Sequence, residues 1–262
     1  MPATSFHSRK KLGQHFLKNR MLAKKIVHFA AIESENVLEI GSGKGVLTKL
    51  IAEKAKKVFA VEIDKNLVKT LADLHLPNVV VINQDFLQVN LRDFEQPVIV
   101  GNIPYSITTP ILEVLVKQKD YFKRAVLTIQ KEYGNRILAQ AGCREYGAIT
   151  VFLNYHFLVK KGFVISAKNF SPAPQVSSIV VSLTKKPLPF ILEDEEKFFQ
   201  FIRGVFRYRR KLLKNAIINY LRRLPAGIEP ELLKKRPENL SLEDFHIIYQ
   251  IATQHYVYNG SR

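Results

Sequence analysis

The chain has 262 residues, of which 47% are hydrophobic and 24% charged. That is globular composition; it excludes wholesale disorder, and no apolar run approaches the roughly 20 residues that span a bilayer. A formal charge of +17, from 40 Lys and Arg against 23 Asp and Glu, points to a polyanionic partner, with nucleic acid ahead of an anionic membrane.

The charge is clustered. Residues 1–32 hold no acid but carry Arg9, Lys10, Lys11, Lys18, Arg20, Lys24 and Lys25. Residues 197–228 also hold no acid, and carry Lys197, Arg203, Arg207, Arg209, Arg210, Lys211, Lys214, Arg222 and Arg223. Charge kept only for solubility would not leave two such windows. Met1–Lys11 has no apolar core, which argues against a secretory signal. The single cysteine, Cys143, allows no intrachain disulfide and no cysteine zinc site. A reducing compartment, the cytoplasm, is expected.

In chain order, Asn19 caps a predicted helix over 20–31. Asn36–Ile40 reads as a short buried strand, and Gly41-Ser-Gly-Lys-Gly45 turns into a helix near 45–55. Val58–Ile63 is a second strand, and Asp64 caps a helix running to 73. Asn78–Ile82, Pro97–Val100 and Ala125–Ile129 follow as strands, with a helix between the last two. This alternation predicts an α/β fold around a parallel sheet covered on both faces. Segments 148–157 and 176–184 read as strands closing the sheet edge. From Glu193 the pattern is helical only, over 194–207, 209–222, 229–235 and 242–255. The Lys185-Lys-Pro-Leu-Pro189 stretch reads as a linker. The expected domains are 1–186, an α/β sheet with a basic leader, and 187–262, a small helical domain.

The chemistry gathers at successive strand ends. Glu39-Ile-Gly-Ser-Gly-Lys-Gly45 offers glycines for a tight turn and close backbone approach. Glu62, ending the second strand, can accept from both hydroxyls of a ribose. Asp85, ending the third, can accept from an adenine amino group. All three lie at the sheet edge where open α/β folds bind ligands, so an adenosine-bearing cofactor follows: S-adenosylmethionine or NAD.

Strand four runs into Asn102-Ile-Pro-Tyr105. The Asn102 amide oxygen and the Ile103 carbonyl can both accept from an exocyclic amine. Tyr105 offers a face for base stacking, and Pro104 stiffens the backbone between them. Such acceptors loosen the conjugation of an adenine N6 with its ring and make it a better nucleophile. An amine needs no strong base, and no histidine stands near this motif in sequence. Asn169-Phe-Ser-Pro-Ala-Pro-Gln-Val176 reads as a stiff loop presenting Phe170 against a flipped base. The basic segments Ser8–Leu17 and Phe206–Lys214 read as phosphate contacts. The seven histidines lack metal-ligand spacing, so no metal is expected. GxSxG and P-loop signals are absent.

Together these motifs resemble the ribosomal RNA adenine N6,N6-dimethyltransferases, most closely their small-subunit, kasugamycin-sensitivity branch. Arg9–Leu17, Glu39–Gly45, Asn102–Tyr105, Ile129–Glu132, Phe170–Val176, Arg209–Lys211 and Arg236–Ser241 carry the resemblance, which spans about residues 8–250. It implies a Rossmann-like methyltransferase sheet with a helical C-terminal domain and S-adenosyl-L-methionine as cofactor. His15, Leu17, Gly41, Glu62, Asp85 and Asn102 are the implied cofactor contacts; Asn102, Tyr105 and Phe170 would hold the base. The implied reaction places two methyl groups on N6 of each of two adjacent adenines. These lie in the 3′-terminal hairpin loop of 16S rRNA, within the small ribosomal subunit late in assembly, and the chain is expected to act as a monomer. Two departures stand out: Ile103, where the family more often has Leu, and Tyr133-Gly134, where it has a small aliphatic pair. The rivals are a large-subunit methyltransferase of the erythromycin-resistance type, which shares these motifs, and an assembly factor with catalysis secondary. An NAD dehydrogenase would explain neither the Asn-Ile-Pro-Tyr motif nor the charge.

Overall fold

The computed structural model describes residues 14–257, so the basic leader residues Arg9, Lys10 and Lys11 lie outside the described residues. The chain divides into two compact units. The first comprises residues up to 134 together with 157–186; the second comprises 135–156 and 187 onward.

The first unit is a seven-stranded sheet. Its strands are β2 (Asn36–Ile40), β3 (Lys57–Glu62), β4 (Val79–Asn83), β5 (Val98–Asn102), β6 (Arg124–Gln130), β7 (Phe157–Ile165) and β9 (Ser178–Lys185). Their order is β4-β3-β2-β5-β6-β9-β7. The five strands from β4 to β6 are parallel, and β9 and β7 add antiparallel pairs at one edge. Val37, Leu38, Val98, Ile99 and Val100 are all fully buried. Helices on both faces explain why β2, β5 and β6 are buried at successive positions rather than at alternate ones.

Helices α1 (Arg20–Ala30), α2 (Val46–Ala52), α3 (Lys65–Ala72) and α4 (Thr108–Lys117) complete the layers. Two of them start where side-chain chemistry tells them to. The Asn19 side chain accepts from the N–H groups of Met21 and Leu22, and Asp64 from Asn66. A short ladder, β1 (Phe16–Leu17) against β8 (Phe170–Ser171), ties the segment before α1 to the loop before β9. Strand order reverses between β2 and β5, so the segments that follow them lead away in opposite directions and leave a crevice at their carboxyl ends.

The second unit is all helix: α6 (Ala148–His156), α7 (Glu195–Phe206), α8 (Leu213–Leu221), α9 (Pro230–Lys234) and α10 (Leu242–Val257). Its core joins Phe198, Ile202, Leu213, Ile217, Phe245 and Ile248 to Val151 and Tyr155 of α6. Helix α5 (Lys131–Ile137) straddles the chain boundary between the units.

The segment 148–157 therefore corrects one expectation, for it is a helix up to His156 and the edge strand β7 begins only at Phe157. The stretch is apolar nearly all round, and a buried helix and a buried strand then read alike. Packing against Phe198 and Phe199 selects the helix. The same residues correct the expected 1–186 domain, since 135–156 are part of the helical unit. The Tyr133-Gly134 departure also has a local reason. A Cβ on Gly134 would lie 2.1 Å from Ile179 Cγ2, so β9 occupies the space a side chain would need.

Candidate active site

The crevice at the carboxyl ends of β2, β3, β4 and β5 holds two adjoining cavities. The larger, about 240 Å³, is lined by Gly41, Glu62, Ile63, Gln84, Asp85 and Phe86 among others. The smaller, about 30 Å³, is lined by His15, Phe16, Gly41, Glu62, Asn102 and Tyr105 among others. Five separate segments thus bring six of the expected residues, His15, Gly41, Glu62, Asp85, Asn102 and Tyr105, to one place.

The glycine loop leaves β2 in left-handed backbone. Gly41, Gly43 and Gly45 have φ of 68°, 57° and 76°, a region side chains strain to reach. Space is short as well: a Cβ on Gly43 would sit 3.0 Å from the Phe16 ring, and one on Gly45 2.6 Å from Leu74 Cδ1. Gly45→Ala is expected to cost about 1–3 kcal/mol, from the strained φ and the crowding together. Urea unfolding would check it.

Two carboxyls lie beneath this loop. Glu62 is 2% exposed. Its oxygens accept from the Gly43 N–H at 2.8 Å and the Asp64 N–H at 3.0 Å. It therefore shapes the loop while lining both cavities, and each oxygen keeps a second lone pair. Glu39 is 1% exposed and accepts from the Thr48 hydroxyl at 2.6 Å. Burial pushes its acid up to about 8, against hydrogen bonds that favour ionisation and with the adjacent Glu62 adding to the rise. Asp85 uses one oxygen to cap the turn at Phe86–Gln88, through the Leu87 N–H at 3.0 Å. Its other oxygen remains as an acceptor.

Asn102 ends β5. Its Nδ2 donates to the main-chain carbonyl of His15 at 2.7 Å. The amide is thereby held with Oδ1 as its remaining acceptor. His15 is itself fixed, since its Nδ1 lies 2.8 Å from the Pro172 carbonyl. The Tyr105 hydroxyl bonds Ser178 Oγ at 2.8 Å, and its ring centroid stands 5.5 Å from that of His15. Burial pushes the Tyr105 phenol up, against the Ser178 hydrogen bond, so the group stays neutral and is no base. The Ile103 N–H is spent on the Thr128 carbonyl at 3.0 Å.

Two expected site residues stand elsewhere. Phe170 is 1% exposed and packs in the core with Leu17, Ile26 and Val27. The reading of a loop that presents this ring to a base is corrected, because the pairing of β8 with β1 turns it inward. Leu17 is likewise buried, lines neither cavity, and contributes through that same ladder. Sequence reasoning missed Gln14, which lines both cavities; its place directly before His15 was the available signal. It also missed Phe86 and Leu87, apolar walls next to Asp85. No group of three or more metal-ligating side chains occurs among the described residues.

In the helical unit, Arg203, Arg207, Arg210, Lys211 and Lys214 are exposed. Arg209 differs from them. It is ion-paired with Glu238 at 2.7 Å and also donates to the Arg144 carbonyl, so much of its donor capacity is spent within the fold. The Arg236–Ser241 segment supplies that Glu238. At its end, Ser241 and Asp244 cap each other across the start of α10.

A sequence model of the ribosomal RNA adenine dimethylase family matches residues 5–254. The ribosomal RNA small subunit methyltransferase A of Metamycoplasma arthritidis is 39% identical over 250 residues, covering 93% of this chain and 96% of the relative. The crystal structure of a dimethyladenosine transferase from Plasmodium falciparum superposes with a TM-score of 0.77 at 27% identity, covering 94% of this chain and 98% of that one. That of the 23S rRNA methyltransferase ErmE gives 0.69 at 26%, covering 90% and 100%. With the fold, the crevice and the Asn-Ile-Pro-Tyr turn in place, the chain belongs to the ribosomal RNA adenine dimethylase family.

Proposed function

We propose that this chain transfers methyl groups from S-adenosyl-L-methionine to N6 of two adjacent adenines in the 3′-terminal hairpin loop of small-subunit rRNA, during late subunit assembly. The observation that carries this reading is the tethered Asn102, whose amide nitrogen is taken by the His15 carbonyl. Its oxygen is then the natural partner for an incoming N6–H. The small-subunit assignment draws on the name of the Metamycoplasma relative and its near-complete coverage.

The crevice fits the cofactor on its own chemistry. Glycines at positive φ open the loop, Glu62 carries free lone pairs for ribose hydroxyls, and Asp85 keeps an oxygen for an adenine amine. When bound, the cofactor supplies an activated methyl on a sulfonium. The protein's own part is alignment. Asn102 Oδ1 and the Ile103 carbonyl accept from the target amine, and Tyr105, anchored through Ser178, gives the base a fixed ring to stack on. No general base is required of the protein. The second methylation of one nitrogen requires that the first methyl find room and that one N–H contact be released.

Exposed Arg207, Arg210 and Lys211 are the proposed phosphate contacts of the helical unit. Action as a monomer is part of the proposal. No described helix is long and apolar enough to cross a membrane, and the cytoplasm is the proposed compartment. The test is methyl transfer from labelled cofactor to purified small and large ribosomal subunits that lack these modifications. Incorporation into small subunits alone supports the proposal. Incorporation into large subunits would move the chain to the resistance type, and tight binding without transfer would make it an assembly factor.

A further inference from the structure

Helix α1 breaks a rule of helix electrostatics. The positive end of a helix favours acids, yet the first turn of α1 holds none, and Lys18 and Arg20 flank its cap Asn19. The nearest acid, Glu53, lies 3.9 Å from Arg20, with both side chains largely in solvent. Further along, Lys24 and Lys25 are exposed on the same outward face. Met21 sits among these cations 73% exposed, an apolar side chain given to water. The Lys25 ammonium stands 4.2 Å above the Phe163 ring, so its stem is laid down and not free to wander.

A further cation arrives from 150 residues away. The Asn19 Nδ2 donates to Asn169 Oδ1 at 3.0 Å, and the Lys18 N–H to the Asn169 carbonyl at 2.8 Å. This clasp sets exposed Lys168 beside Lys18. It also adjoins the crevice, because the same strap continues through His15, whose carbonyl holds Asn102. A row of cations met only by the solvent-exposed Glu53, unfavourable at the start of a helix and continuous with the reaction centre, is explained by an anion that runs past it. Local rules are broken where function requires it.

We propose that the outward face of α1, with Lys18 and Lys168 at its clasped end, is a docking surface for the RNA phosphate backbone that flanks the target base. It rests on the rRNA reading above and adds a contact that belongs to the sheet unit itself. Its ligand is a run of phosphates, with Met21 free to lie against sugar edges.

The test uses the full chain and small ribosomal subunits lacking the modification as probe. The variant Lys24→Gln, Lys25→Gln, Lys168→Gln is compared with the parent across a salt series. Each lost phosphate contact flattens the dependence of log affinity on log salt by about 0.7–0.9. The expected result is a slope shallower by about 2 and affinity lower on the order of 10- to 100-fold. Cofactor affinity should hold, since none of the three residues lines the crevice. Arg20→Gln should weaken subunit binding while the melting temperature changes little, since its pairing with Glu53 is solvent-exposed. An unchanged slope in the triple variant, with a steep one in the parent, overturns the proposal and leaves the function standing. A loss confined to anionic phospholipid vesicles would assign the face to a membrane and also overturn it. If the parent fails to bind small subunits, both readings fall.

Discussion

Asn102→Ala is expected to abolish methyl transfer while changing cofactor affinity by less than about tenfold. The side chain ends β5 and spends its nitrogen on the His15 carbonyl, so its oxygen is already aimed before a substrate arrives. Pre-aimed acceptors of this kind are worth roughly 10²–10³ in rate, and alanine removes the acceptor and the tether together. Asn102→Asp separates the two roles. It keeps an oxygen for the amine but sets a carboxylate against the His15 carbonyl, so activity should fall less than in alanine and cofactor binding should suffer more. Single-turnover transfer with saturating cofactor, beside a separate binding titration, distinguishes these outcomes. Full activity in Asn102→Ala would remove the amine-acceptor role.

The second large effect concerns Glu39. In an unfolded chain its acid ionises near the ordinary value of 4.5; in the fold, burial raises it to about 8. The folded state binds the proton more tightly. Stability from this group is therefore complete below about 4.5 and is lost as pH climbs through 8. Glu39→Gln retains an acceptor for the Thr48 hydroxyl and has no proton to lose. Relative to the parent, the variant should gain about 1.4 kcal/mol per pH unit between roughly 5 and 8, a few kcal/mol in all. Urea unfolding of both proteins at pH 5.5 and pH 8 measures it. Parallel behaviour of the two would mean that Glu39 is ionised in the fold, stabilised by groups other than Thr48.

Much of the crevice was legible because its parts are local. Short apolar runs bounded by polar residues mark β2 to β6. Asn19 and Asp64 announce their helices, and the glycines mark the left-handed turn that leaves β2. Glu62 and Asp85 could be placed because the first ends such a run and the second lies just beyond one. What could not be read depends on residues far apart in the chain. Nothing near Phe170 says that Leu17 will pair with it and turn it into the core. Nothing near Arg209 reveals Glu238, 29 positions on, which removes it from the pool of free cations. The His15 carbonyl reaches Asn102 across 87 positions, so the tether of the central residue is a tertiary fact. Segment 148–157 failed for another reason. Its apolar, β-branched run satisfies strand and buried helix alike, and the aromatic core of the helical unit decides between them.

The most direct test of the central claim is mass spectrometry of nuclease fragments from the 3′ end of small-subunit rRNA after reaction with the purified chain. The account predicts two adjacent adenosines, each carrying two methyl groups on N6, with neither modified by Asn102→Ala. Methyl groups on another atom or another RNA, or the same product from the Asn102→Ala variant, would contradict it.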